Sequence, residues 1–156
     1  IGSVHIEAAL VADTCGPGVN TNGSTMDYDV ELQRNGETIR WLSPWGSVSG
    51  ALTADDEFVI EVGDQWIVRD ADPWLGDPGC AMQQLERISG TIEFETIEDE
   101  NDVSEEVVSS ITATHESFIA PTTGSDCSNL LGISEGTYLA LPCQIAYDIV
   151  GTPLED

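Results

Sequence analysis

The chain has 156 residues, 29 of them acidic and 4 basic, for a formal net charge of −25; the cations are Arg34, Arg40, Arg69 and Arg87, and there is no lysine. A polyanion of this density displaces no counterions from nucleic acid and is repelled by anionic lipid, so nucleic-acid binding is excluded and a cation-rich medium is favoured. No apolar run approaches the roughly 18 residues that span a bilayer, so no membrane insertion is expected, and the length suits a single domain over residues 1–156 that buries its own core.

In chain order, Ser3 to Asp13 alternates with Val4, Ile6, Ala8 and Leu10 on one face and His5, Glu7, Ala9 and Val11 on the other, the two-residue period of a strand. Such a strand at a chain end, residues 1–13, either pairs within its own sheet or is exchanged onto the open edge of a neighbouring subunit. Thr14 to Ser24, TCGPGVNTNGS, has the composition of a loop. Met26, Tyr28, Val30 and Leu32 then alternate with acidic and amide residues, and Asn35-Gly36 predicts a type I′ hairpin into a strand over Glu37 to Leu42. Ser43-Pro44-Trp45-Gly46 reads as a loop and Ser47 to Leu52 as a short edge strand. Glu57 to Val62, Gly63-Asp64 and Gln65 to Arg69 predict a second tight hairpin, with glycine at the first turn position as a type II′ turn requires.

After the loop Asp70 to Gly79 comes the longest extended run, Cys80 to Ile97. Met82, Gln84, Glu86, Ile88, Gly90, Ile92 and Phe94 share one face of it, and that face is mixed in its first half and apolar in its second. Gly90 stands where these halves meet, a position that marks a bulge, a bend or the close approach of another backbone. Glu95 to Glu106 carries seven carboxylates and no cation and reads as a solvated loop. Val107 to Ala120 returns to strand, Cys127 to Ser134 suits a helical turn or two, and Tyr138 to Val150 reads as a last strand interrupted at Pro142. About eight to ten strands with frequent turns and little helix predict an all-β fold, a single antiparallel β-sandwich or flattened β-barrel stapled by disulfides.

Cys15, Cys80, Cys127 and Cys143 contain no C-x-x-C pair and are accompanied by two histidines, which argues against a tetrahedral zinc site and for two disulfides formed in an oxidising compartment. Of the three pairings, Cys127 with Cys143 is expected because the segment between them can double back, leaving Cys15 with Cys80. The chain starts with Ile1 rather than Met, which fits either a removed secretion signal or a trimmed chain.

No catalytic motif of the nucleophile-elbow, metalloprotease, P-loop or dinucleotide type occurs, and with 29 acids some carboxylate pairs stand at catalytic separations by chance, so the expectation is no enzyme and no catalytic residues. His115 is in phase with Ile111 and Ala113 and reads as a packed strand histidine. Dense oxygen ligands suit calcium, the one cofactor considered, and Asp70, Asp72 and Asp77 are its candidate ligands because their loop is restrained by two prolines. Trp45 and Trp74, in loops beside proline, are candidates for stacking on a carbohydrate or a small apolar ligand, while Trp66 reads as core.

These readings lead to a secreted or cell-surface protein of a microbe. The leading expectation is a non-enzymatic structural subunit, its partner a copy of itself, which self-assembles into a filament or surface layer by addition of the strand bearing Val4, Ile6, Ala8 and Leu10, with calcium assisting. The alternatives are a soluble extracellular binding module that uses the loop tryptophans for carbohydrate or a small apolar ligand, and a small extracellular hydrolase.

Overall fold

The computed structural model describes residues 1–154. Eight strands follow one another in chain order: β1 (Gly2–Asp13), β2 (Thr25–Asn35), β3 (Thr38–Ser43), β4 (Gly46–Leu52), β5 (Glu57–Arg69), β6 (Cys80–Glu98), β7 (Ser104–Pro121) and β8 (Cys143–Pro153). Each pairs antiparallel with its sequence neighbours, and β8 pairs back onto β1, so the sheet closes into an up-and-down barrel. The all-β expectation holds, and closure decides between its two forms: a barrel rather than a sandwich, with no edge strand left over among the described residues.

Inward residues follow the two-residue period read from the sequence. Val4, Ile6 and Ala8 of β1, Val30 and Leu32 of β2, Ile39 and Trp41 of β3, Phe58 and Ile60 of β5 and Ile111 of β7 are almost completely buried. Trp41 and Phe58 stack across the interior with ring centroids 6.1 Å apart. Each such side chain taken fully from water contributes about 1.5–3 kcal/mol, which makes this apolar layer the main source of stability.

The two ends of the barrel differ. One end has tight connections: residues 36–37, 53–56 and 99–103, with the amino terminus held by a hydrogen bond from the Ile1 ammonium to the Leu32 carbonyl (3.0 Å). The other end carries residues 14–24, 70–79 and 122–142, the last of which contains two short 3-10 turns, Ser128–Leu130 and Gly132–Ser134, where a helical turn was expected. Both disulfides lie at this second end.

Four local expectations are corrected. The disulfides are Cys15–Cys143 and Cys80–Cys127. Ladder order dictates this pairing: the end of β1 lies beside the start of β8, and the start of β6 beside the end of β7. The chain between Cys127 and Cys143 does double back, with the backbone of Tyr138 hydrogen-bonded to Leu130 and Gly132, but each cysteine at its ends faces a partner from the neighbouring strand end. Gly63-Asp64 is not a turn. Gly63 stands opposite Leu85 and Asp64 opposite Gln84 in a continuous β5–β6 ladder, because the long β6 offers partners along all of β5. The acidic run is mostly strand, with Glu95 opposite Val107 and Glu98 opposite Ser104, which confines the turn to residues 99–103. The Asn35-Gly36 hairpin forms, but Asn35 closes the ladder opposite Thr38 and Gly36, at φ 60°, takes the first central turn position, the glycine placement of a type II′ turn.

Gly90 marks close backbone approach. A Cβ there would lie 2.1 Å from the Thr112 carbonyl oxygen and 2.5 Å from the Ala113 Cα, so the coiling of β6 against β7 depends on its missing side chain.

Candidate functional site: an interior cavity beside Glu86 and His115

The pairing of β4 with β5 is short, Ala51 with Val59 and Leu52 with Phe58, whereas β5 continues along β6 as far as Arg69. Beyond Ile60, β5 therefore diverges from β4. A cavity of about 500 Å³ lies where the two separate, with Val48 on one wall, Ile60 and Val62 on the other, Met26, Tyr28, Trp41 and Ile88 lining its interior, and Ser43, Trp45, Gly46 and Ser47 along the β3–β4 connection. Trp45 packs edge-on against Tyr28, with centroids 4.9 Å apart and planes at 69°, although 72% of its surface remains exposed. Burial raises the Tyr28 phenol to about 12, so it stays neutral at any ordinary pH.

A second chamber of about 250 Å³ lies under the 14–24 loop, against Trp66, Ser117, Tyr138 and Tyr147. The two chambers share Asn22, Met26, Glu86 and His115. Glu86 and His115 are thus the titratable groups at the junction, on the inward faces of neighbouring strands, with Nε2 of His115 3.8 Å from Oε1 of Glu86. The same oxygen accepts from the Ser117 hydroxyl (3.3 Å) and the Gln84 amide (3.4 Å). The His115 side chain, chiefly, and the Ser117 hydroxyl hold the Glu86 carboxyl below its ordinary value, against desolvation that pushes it up. Nδ1 of His115 is buried and has no hydrogen-bond partner among the described residues.

The loop end is fastened over this interior. Asn20 Nδ2 donates to the Tyr147 hydroxyl (2.8 Å), which donates to the Gly23 carbonyl (2.7 Å), so the 14–24 loop is tied to β8 from within as well as through Cys15–Cys143.

The sequence candidates separate. Trp45 lines the cavity; Trp74 is 97% exposed on the 70–79 loop and lines neither chamber. Trp66, read as core, is half-buried and lines the second chamber. Asp77 is engaged by Arg69 through two hydrogen bonds (3.0 and 3.1 Å) and accepts the Gly79 N–H, and Asp72 accepts from the backbone N–H groups of Trp74 and Leu75, so both carboxylates serve the loop's own conformation. Asp72 and Asp77 pair through their backbones, but among the described residues Asp70, Asp72 and Asp77 do not bring their carboxylates together as one ligand set. On the outer face of β1 and β2, His5, Glu7 and Asp27 place one ligand atom each within 4.8 Å of the others, and His5 Nδ1 is engaged by Asp29 (2.7 Å). Val4, Ile6 and Ala8 lie in the chain's own core, and β1 is hydrogen-bonded along both edges, to β2 and to β8.

Sequence reasoning missed the Glu86–His115 junction. The signal was present in the mixed inward face of β6, where Gln84 and Glu86 interrupt Met82 and Ile88; without the barrel there was no means to set His115 opposite Ile88 and next to Glu86.

Fold and site together define a closed eight-stranded up-and-down β-barrel with an internal cavity, a class in which the interior is either filled by side chains or holds one small ligand. No protein-family model, curated protein or solved structure matches the chain. Two disulfides point to an extracellular or secreted protein. Among the described residues no helix is long and apolar enough to cross a membrane.

Proposed function

We propose that the protein is a non-enzymatic binding module, secreted or displayed at the surface of a microbe, that holds a small, largely apolar ligand inside its barrel. The observation that supports this reading is the cavity of about 500 Å³ lined by Tyr28, Trp41, Trp45, Val48 and Ile60, with Glu86 and His115 as its convergent polar groups. A concave, mostly apolar site of several hundred Å³ with a few placed polar groups is the usual form of a small-molecule site. The self-assembly expected from residues 1–13 draws no comparable support, because β1 would have to leave both β2 and β8 and expose Val4, Ile6 and Ala8.

The test is titration with N-phenyl-1-naphthylamine, a neutral dye whose emission rises in apolar surroundings. Saturable binding at one site per chain is expected, lost in Val48→Trp, which fills the cavity, and kept in Trp74→Ala. Absence of saturable binding in the unmodified protein would overturn the reading.

A further inference from the structure

Both chambers are walled mainly by apolar, aromatic and neutral polar residues, and among the described residues Glu86 is the one carboxylate that lines them. The chain's cations are engaged elsewhere. Arg34 bonds Glu106 and lies over Phe94, Arg40 bonds Ser47, Arg69 bonds Asp77 and Arg87 bonds Glu61, and none of the four lines a chamber. Within Glu86 the hydrogen bonds from Ser117 and Gln84 and the approach of His115 all fall on Oε1; Oε2 has no hydrogen-bond partner among the described residues. A carboxylate in a partly water-excluded wall, with one oxygen uncommitted, attracts a cation more strongly than the same group would in water. Tyr28, Trp41 and Trp45 line the same chamber, and the faces of aromatic rings add attraction for an organic cation. The outer surface works in the same direction, since a net charge of −25 concentrates cations around the molecule and repels anions.

Resting on the cavity reading above, we propose that the ligand is a small amphipathic organic cation, an aromatic or aliphatic amine, with its ammonium group on Glu86 and its apolar part among Tyr28, Trp41 and Trp45. An anionic ligand is disfavoured by the same wall, and a neutral one leaves the carboxylate oxygen without a partner. Glu86, read from sequence as one of many acids, becomes the residue that sets ligand charge.

Three probes sharing a phenyl ring and a short chain separate these cases: 2-phenylethylamine, 2-phenylethanol and phenylacetate, each competed against N-phenyl-1-naphthylamine at pH 7.4 in physiological salt, where screening over about 8 Å suppresses the long-range field. The ammonium probe is expected to bind at least tenfold more tightly than the alcohol and the carboxylate most weakly. Glu86→Gln, which changes the net charge by a single unit, should reduce the ammonium preference to less than about threefold, whereas Glu95→Gln on the outer surface should leave it intact. Equal binding of amine and alcohol by the unmodified protein would overturn the cation proposal while leaving the cavity reading in place, and that comparison needs no variant to fold. Retention of the preference in a folded Glu86→Gln protein would overturn it as well. Failure of the dye and of all three probes to bind would remove both readings.

Discussion

Tyr147 and Asn20, 127 positions apart in the chain, meet across the mouth of the barrel, the amide of Asn20 donating to the phenol oxygen at 2.8 Å. Because the same hydroxyl donates onward to the Gly23 carbonyl, one atom of β8 holds the 14–24 loop over the second chamber. Tyr147→Phe removes this tie and leaves the ring packed. The expected result is a loss of about 1–2 kcal/mol in urea unfolding and faster amide exchange confined to residues 16–24. Unchanged exchange there would show that the disulfide and the loop's backbone hydrogen bonds, such as Leu139 N–H to the Cys15 carbonyl, hold it without the Tyr147 hydroxyl.

The disulfides are expected to contribute unequally. Cys15–Cys143 closes a separation of 128 residues and Cys80–Cys127 one of 47, so the chain-entropy argument gives the first the larger effect. Replacing either pair by alanine should cost about 2–5 kcal/mol, with Cys15→Ala/Cys143→Ala the more damaging. Peptide mapping without reduction should recover Cys15 linked to Cys143, and recovery of a Cys127–Cys143 peptide would refute the ladder order at this end.

Alkali and acid should act through different residues. Tyr28 has its phenol raised from 10.0 to about 12 by burial. Its neutral form is the one that suits the fold, so the associated stability is fully present below pH 10 and is lost as pH rises through about 12, a difference of about 2–3 kcal/mol. Glu86 shifts the other way, below 4.5, so its contribution is present above that value and is lost as pH falls through its lower folded value. Burial also raises the Tyr138 phenol, so spectrophotometric titration at 295 nm should show Tyr28 ionising last, near pH 12, and Tyr28→Phe should abolish that final phase while the raised ionisation of Tyr138 remains. In acid, Glu86→Gln should flatten the dependence of urea midpoint on pH below 4.5.

Gly90→Ala should be the most damaging single methyl in β6. The added Cβ would meet backbone atoms of Thr112 and Ala113 that belong to a paired strand and cannot rotate away. A loss of at least about 2 kcal/mol is expected, beyond the usual range for an exposed strand substitution. Gly63→Ala, on the outside of β5 with no atom nearer than the Gln84 carbonyl oxygen at 4.0 Å, is the control and should be nearly neutral.

Much of the fold was legible in particular residues. The alternation of Val4, Ile6 and Ala8 and of Met82, Ile88 and Ile92 identified inward faces that the barrel uses, and Gly90 was recognisable as a place where something comes close. Gly63-Asp64 misled because glycine between two alternating runs satisfies a local turn rule, and local rules cannot see that the partner strand continues. The cysteines misled for a similar reason: proximity along the chain suggested Cys127 with Cys143, but proximity in space follows strand order.

The sequence by itself determined the period of the strands, the acidic surface and the apolar faces of β1, of β2 and of the second half of β6, because these depend on side-chain chemistry repeating every second residue. Only the tertiary structure decided that the sheet closes, that β1 is held on both edges, which cysteines meet, and that Glu86 and His115 face one cavity with Trp45 at its edge. Those are relations between strands far apart in the chain. Backbone hydrogen bonding and ring closure set them, and no local pattern encodes which strand will lie alongside which.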